Sequence, residues 1–170
     1  MKTDSGLTES LEDYLEVIMD LEATHKVARA KDIAERLGIQ RGSVTGALKN
    51  LESKGLINYE RYGFITLTEK GAVTAEKITR RHQILKDFLH NILKVDAAVA
   101  DQTACRMEHV MDGQSMERLV AFIRYIDTCP RAGKDWLQGF LAHCEDPIPS
   151  IEKCRACIDE SRTQLDKNSG

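Results

Sequence analysis

Cys105, Glu108 and His109 fall within one pentapeptide, Cys105-Arg106-Met107-Glu108-His109. In a helix they stand at i, i+3 and i+4, so their side chains project from one face. A thiolate, a carboxylate and an imidazole converging there suit a borderline divalent metal such as iron(II), manganese(II), nickel(II) or zinc. The plainer alternative is a buried Cys beside a surface Glu–His pair, and the pentapeptide alone leaves both open. A second group of thiols lies near the C-terminus: Cys129, Cys144, Cys154 and Cys157, spaced C-x14-C-x9-C-x2-C. Cys154 and Cys157 have the spacing of a metal knuckle, and the other two complete a four-sulfur shell for zinc or an iron–sulfur cluster. Unliganded or redox-labile thiols are the alternative. A thioredoxin-like role needs a βαβ context that this sequence lacks.

At 170 residues, 42% hydrophobic and 30% charged, the chain can bury a real core. No segment approaches the roughly 20 apolar residues of a membrane span. The polar start, Met1-Lys2-Thr3-Asp4-Ser5-Gly6, has no apolar export signal. A cytoplasmic protein is expected, in which five cysteines point to metal or redox chemistry before disulfides. The net charge is −3, which argues against indiscriminate nucleic-acid binding, but its distribution is uneven. Between Lys26 and Asp87, 13 basic residues face seven acidic ones, while the flanks are acidic. A basic module inside an acidic chain fits a DNA reader with a second, metal-related task. No phosphate loop or nucleophile elbow is present, so an enzyme is not expected.

The elements that must position these groups are mainly helical. Thr8 or Ser10 caps a first helix whose stripe Leu11, Leu15, Ile18, Met19 runs to about His25. A short helix over Lys31–Leu37 ends at Gly38, and Ser43 opens a second that Gly55 stops. Two helices joined by a tight turn make a helix-turn-helix. The β-branched and aromatic run from Leu56 to Leu67, around Gly63, reads as a hairpin, which makes the motif winged. Thr68 starts a long helix to about Leu93, and helices near Ala97–Met111 and Ser115–Tyr125 follow. The last 40 or so residues hold all three prolines and four of the five cysteines, with partial helix expected over Lys134–His143 and Ile151–Leu165. The expected organisation is a winged helix-turn-helix (1–70), a helical metal-binding and dimerisation domain (71–127) and a Cys-rich extension (128–170).

Glu12-Asp13-Tyr14-Leu15-Glu16, the block Asp32–Leu67, Arg81-His82 and Ala104-Cys105-Arg106-Met107-Glu108-His109-Val110-Met111 resemble the diphtheria-toxin-repressor family of iron- or manganese-dependent transcriptional repressors. The resemblance runs from about residue 7 to 127. It implies a homodimer that binds a palindromic double-stranded DNA operator when loaded with metal. Its implied ligands are Asp13, Glu16, His82, Cys105, Glu108 and His109. Asp13 and Glu16 resemble the manganese-responsive branch, while Cys105 resembles the iron-responsive one. A thiolate favours iron(II), with manganese(II) the alternative. Two positions depart from the iron-type pattern: Lys86 stands where an accessory Glu is expected, and Asp101 where another His is expected. The family's second metal site is therefore open to question here. For DNA, Gln40, Arg41, Ser43, Thr45 and Lys49 lie at or near the N-terminal half of the recognition helix, and Arg61 and Tyr62 on the wing. Plain solvent-facing residues are the alternative for each.

Overall fold

The computed structural model describes residues 6–60, 63–128 and 134–145, together with 151–152, 155–156 and 158–159. Helix α1 (Glu9–His25) buries Leu11, Tyr14, Leu15, Ile18 and Leu21 along one stripe. It ends where Lys26 takes a left-handed conformation, φ 66°. Thr8 occupies the N-cap position, but its side chain makes no capping bond. Helix α2 (Ala30–Leu37) stops at Gly38, whose φ of 65° is cheap only for glycine. Helix α3 (Arg41–Ser53) starts two residues before the expected Ser43, because the first turn closes on Gln40, whose carbonyl accepts from the Ser43 N–H. Val44, Leu48 and Leu51 turn inward and hold α3 on the core.

Strands β1 (Ile57–Tyr59) and β2 (Ile65–Leu67) form the antiparallel wing, pairing Ile57 with Leu67 and Tyr59 with Ile65. Ala28 extends it by one bridge to Ile65. The Thr68 hydroxyl caps α4 (Glu69–Asp87) through the Gly71 N–H. The long helix expected to reach Leu93 finishes in a π-helical turn over Phe88–Ile92. Asp96 caps α5 (Ala97–Val110) at Ala98 and Val99. Helix α6 (Gly113–Thr128) begins earlier than Ser115, because the Asp112 carboxylate accepts from both the Ser115 N–H and its hydroxyl. Helix α7 (Lys134–Glu145) matches the first tail helix, while most of the second lies outside the described residues. No helix among the described residues is long and apolar enough to cross a membrane.

Two apolar clusters organise these elements. The first joins α1, α2, α3 and the wing, with Ala75 and Ile78 from the first half of α4. The second joins Leu85 and Leu89 to Ala100, Ala104 and Met116. Burying a side chain such as Leu15 or Leu85 completely contributes about 1.5–3 kcal/mol. Helix α4 therefore belongs to both clusters. His82 lies on it between Ile78 of one and Leu85 of the other.

Candidate metal centre

Three charged side chains are buried where the two clusters meet: Glu12 from α1, and Glu108 and His109 from α5. Burial of this kind is costly unless each group finds a partner. His109 Nδ1 lies 2.7 Å from Glu12 Oε2. Its Nε2 sits 3.2 Å from Asp13 Oδ1 and 3.4 Å from Glu108 Oε1, without the alignment of a hydrogen bond to either. The other Glu108 oxygen, Oε2, is 2.9 Å from His82 Nδ1. Each central group is thus held by one heteroatom and offers the other, Glu108 Oε1 and His109 Nε2, buried and without a hydrogen-bond partner.

Those two atoms face a ready-made ligand set. Donor atoms of Asp13, Cys105 and His109 all lie within 4.8 Å of one another. A thiolate and an imidazole on opposite sides of one ion stand about 4.4 Å apart, so these atoms lie close to bonding range of a shared ion. Three of the six expected ligands, Asp13, Cys105 and His109, are gathered here, and Glu108 joins them through His109, its Oε1 3.4 Å from Nε2. The other two adjoin them. His82 spans from Glu108 to Asp101, with Nε2 3.2 Å from Asp101 Oδ1. Glu16 accepts a hydrogen bond from the Thr79 hydroxyl at 3.3 Å. Glu12 carried no role in the sequence reading. Its neighbour Leu11 reads as core, and no periodicity marks the acid beside it as buried.

The electrostatics also fit a cation. Burial, with Glu16, Asp13 and Glu12 nearby, pushes the Glu108 carboxyl up to about 8 against the pull of His109. Burial alone would depress His109, but the Asp13 and Glu12 carboxylates beside the ring, aided by Glu108, lift it to about 11. Burial, then Glu108 and Asp13, raise the Cys105 thiol. Burial raises Glu16 as well, against the pull of His82 and the Thr79 hydrogen bond. The carboxylates around the His109 ring favour its protonated form in the absence of metal. An N/O/O/S set with two bare, buried donor atoms, Glu108 Oε1 and His109 Nε2, beside a half-exposed Asp13 and an exposed Cys105, fits a borderline divalent ion.

A pH dependence follows. The folded, metal-free protein keeps protons on Glu108 up to about 8 and on His109 up to about 11, which the unfolded chain releases near its ordinary values. Stability held at lower pH is then lost as pH rises, by roughly 2–2.7 kcal/mol per unit between about 6.5 and 8, where both groups act. Melting temperature in chelator should fall across that window. A flat or rising profile would contradict the assignment.

Five of the residues expected to contact DNA lie on or just before α3. Gln40, Arg41, Ser43, Thr45 and Lys49 are all exposed, with 41, 45 and 49 on one face of α3. Arg41 and Thr45 line a crevice of about 490 Å³ with Arg29, Lys31 and the wing residues Tyr59 and Phe64. Arg29 stacks its guanidinium over the Phe64 ring at 5.2 Å. Arg61 and Tyr62 lie outside the described residues, as do Cys129, Cys154 and Cys157. Cys144, on α7, is an exposed free thiol. The expected four-sulfur site is not assembled by the described residues.

Comparison with known proteins matches two family models to the chain. Residues 6–65 match the iron dependent repressor N-terminal DNA binding domain, and residues 68–137 the iron dependent repressor metal binding and dimerisation domain. An HTH-type transcriptional regulator of Methanocaldococcus jannaschii is 36% identical over 118 residues, covering 69% of this chain and 94% of the relative. The regulator MntR of Lysinibacillus sphaericus is 32% identical over 123 residues, covering 72% and 88%. Among solved structures, the manganese regulator SloR superposes with a TM-score of 0.61 at 30% identity. That match covers 72% of this chain but 57% of SloR, so the chain spans little more than half the length of that structure.

Proposed function

This chain belongs to the iron-dependent repressor family of metal-dependent, DNA-binding transcriptional repressors, and from that membership we propose that a divalent cation activates it as a homodimeric repressor of metal-homeostasis genes on a palindromic operator. The observation that carries the reading is the span of the cluster. Asp13 and Glu12 come from α1, in the apolar core of the helix-turn-helix, while Cys105, Glu108 and His109 come from α5, in the other core.

A bound cation supplies the positive charge that a cluster rich in buried acids lacks. Asp13, Cys105, Glu108 and His109 hold it, with Glu16 and His82 alongside. Glu12 fixes His109 by Nδ1 and leaves Nε2 to face inward, the usual arrangement of a metal-binding imidazole. Leu15 and Ile18 of α1 share a core with Val44 and Leu48 of α3, so tying α1 to α5 also sets the direction of α3. In a dimer the two recognition helices then stand one helical turn apart, roughly 34–36 Å. A preference of a few kcal/mol for the DNA-competent form is enough for such a switch. The Cys105 thiolate favours iron(II). Manganese(II) is the alternative, in keeping with the description of SloR as a manganese regulator.

The dimer reading draws on α6. Phe122 and Tyr125 are 44% and 52% exposed, beside a groove of about 600 Å³ that Phe88, Ile92, Val120 and Ile123 help to line. A second copy is the occupant that a dimerisation domain provides. On the DNA side, Lys49→Ala should weaken binding evenly across sequences and reduce the slope of log affinity against log salt by about 1. An unchanged slope would remove Lys49 from the phosphate contacts.

The test is selection from random duplexes by the full-length protein, with iron(II) under anaerobic conditions, with manganese(II), and with chelator. Enrichment of an inverted repeat only with metal is expected. Equal enrichment in chelator would sink the proposal.

A further inference from the structure

The two positions at which the chain departs from the iron-type pattern are in contact. Lys86 Nζ lies 2.7 Å from Asp101 Oδ1, the same oxygen that stands 3.2 Å from His82 Nε2. His82 and Lys86 are one turn apart on α4, and Asp101 is one turn before Cys105 on α5. Lys86, Asp101, His82 and Glu108 therefore form a continuous chain of polar contacts that ends at Glu108 Oε2. His82 is only 21% exposed and lies between two carboxylates, an imidazole–carboxylate arrangement that would otherwise draw a second cation. Instead, the Asp101 carboxylate beside it already holds a positive charge, the Lys86 ammonium on its flexible four-carbon stem. Lys86 and His82 both lie against the Asp101 carboxylate, on the same oxygen.

We infer that the Lys86 ammonium is a tethered cation standing where a second divalent ion would sit beside His82, so that each protomer takes one ion, at the Asp13–Cys105–Glu108–His109 cluster. This rests on the metal-centre reading above and deepens it by fixing its nuclearity. Within the same chain of contacts, His82 becomes a positioning residue. It binds Glu108 Oε2 and so turns Oε1 toward the ion. A bare Lys86 would repel a second dication; bonded to Asp101, it also removes one of the donors such an ion needs.

The experiment is equilibrium dialysis of the metal-free, full-length protein against manganese(II), which prefers oxygen and nitrogen donors and leaves the C-terminal thiols unoccupied. Wild type and Lys86→Arg should each bind one ion per chain. Lys86→Glu removes the cation and adds a third donor to His82 and Asp101, so it should bind two. Circular dichroism and melting of the same samples establish that each variant is folded. Two ions in wild type, or one ion in a folded Lys86→Glu protein, would overturn the inference while leaving the metal centre standing. No ion in wild type would overturn both.

Discussion

Glu108→Gln is expected to abolish metal-activated DNA binding while making the metal-free protein more stable. The two effects have one cause. Glu108 is 1% exposed at its side chain, and its carboxyl is pushed up to about 8 by burial and by the acids around it. At neutral pH the metal-free fold must carry a proton there that the unfolded chain does not need, a cost on the order of 3 kcal/mol. The amide removes that cost, and its oxygen can still meet His82 Nδ1. The melting temperature in chelator should therefore rise by several degrees. The amide is a much poorer ligand, however. Changing an outer-shell partner of a metal typically costs 10–100-fold in affinity, so loss of a ligand charge should cost at least about 100-fold. Calorimetric titration with manganese(II) measures the affinity directly. A variant both less stable and unimpaired in metal binding would show that Glu108 has a packing role only.

Gly71→Ala should have the largest effect on stability, at a position far from any ligand. Gly71 is buried in the first turn of α4, and a Cβ there would fall on the carbonyl oxygen of Leu56 at the start of the wing. That oxygen already accepts from the Thr68 N–H, so it cannot easily move away. Over-packing against side chains costs about 1–3 kcal/mol, and a clash with backbone belongs at the top of that range or above it. Elsewhere in a helix, the same change would stabilise by roughly 0.5–1 kcal/mol. Chemical denaturation distinguishes the two signs. Loss of about 3 kcal/mol is expected, and a neutral or stabilising result would contradict the close packing of α4 on the wing. The contact matters for function because α4 also carries His82 and belongs to both apolar clusters.

Much of the candidate metal centre is legible along the chain because its proposed ligands cluster on helices. Cys105, Glu108 and His109 share a face by spacing alone. Asp13 enters through its resemblance to repressors, since an acid on a first helix has no local reason to face inward. Glu12 escapes both routes. Its neighbours Leu11 and Leu15 read as core, and only the packed structure shows that the stripe includes the acid holding His109. Lys86 and Asp101 read singly as substitutions, and their meaning emerges only when α4 and α5 lie side by side and the pair closes. Boundaries shift for local reasons: Gln40 and Asp112 start α3 and α6 earlier than Ser43 and Ser115 suggest. The need for glycine at 71 rests on a carbonyl 15 residues away in the chain, beyond the reach of any periodicity.

The central claim is that one ion at this cluster couples α1 to α5 and thereby switches on DNA binding. Wild type and Glu108→Gln, titrated with manganese(II) in the presence of the duplex selected above and followed by fluorescence anisotropy, test it most directly. Wild-type affinity should rise at least about 100-fold as the ion saturates, within the range that population shifts of a few kcal/mol allow, while the variant stays at its metal-free level. Equal gains in both proteins, or tight binding by wild type in chelator, would contradict it.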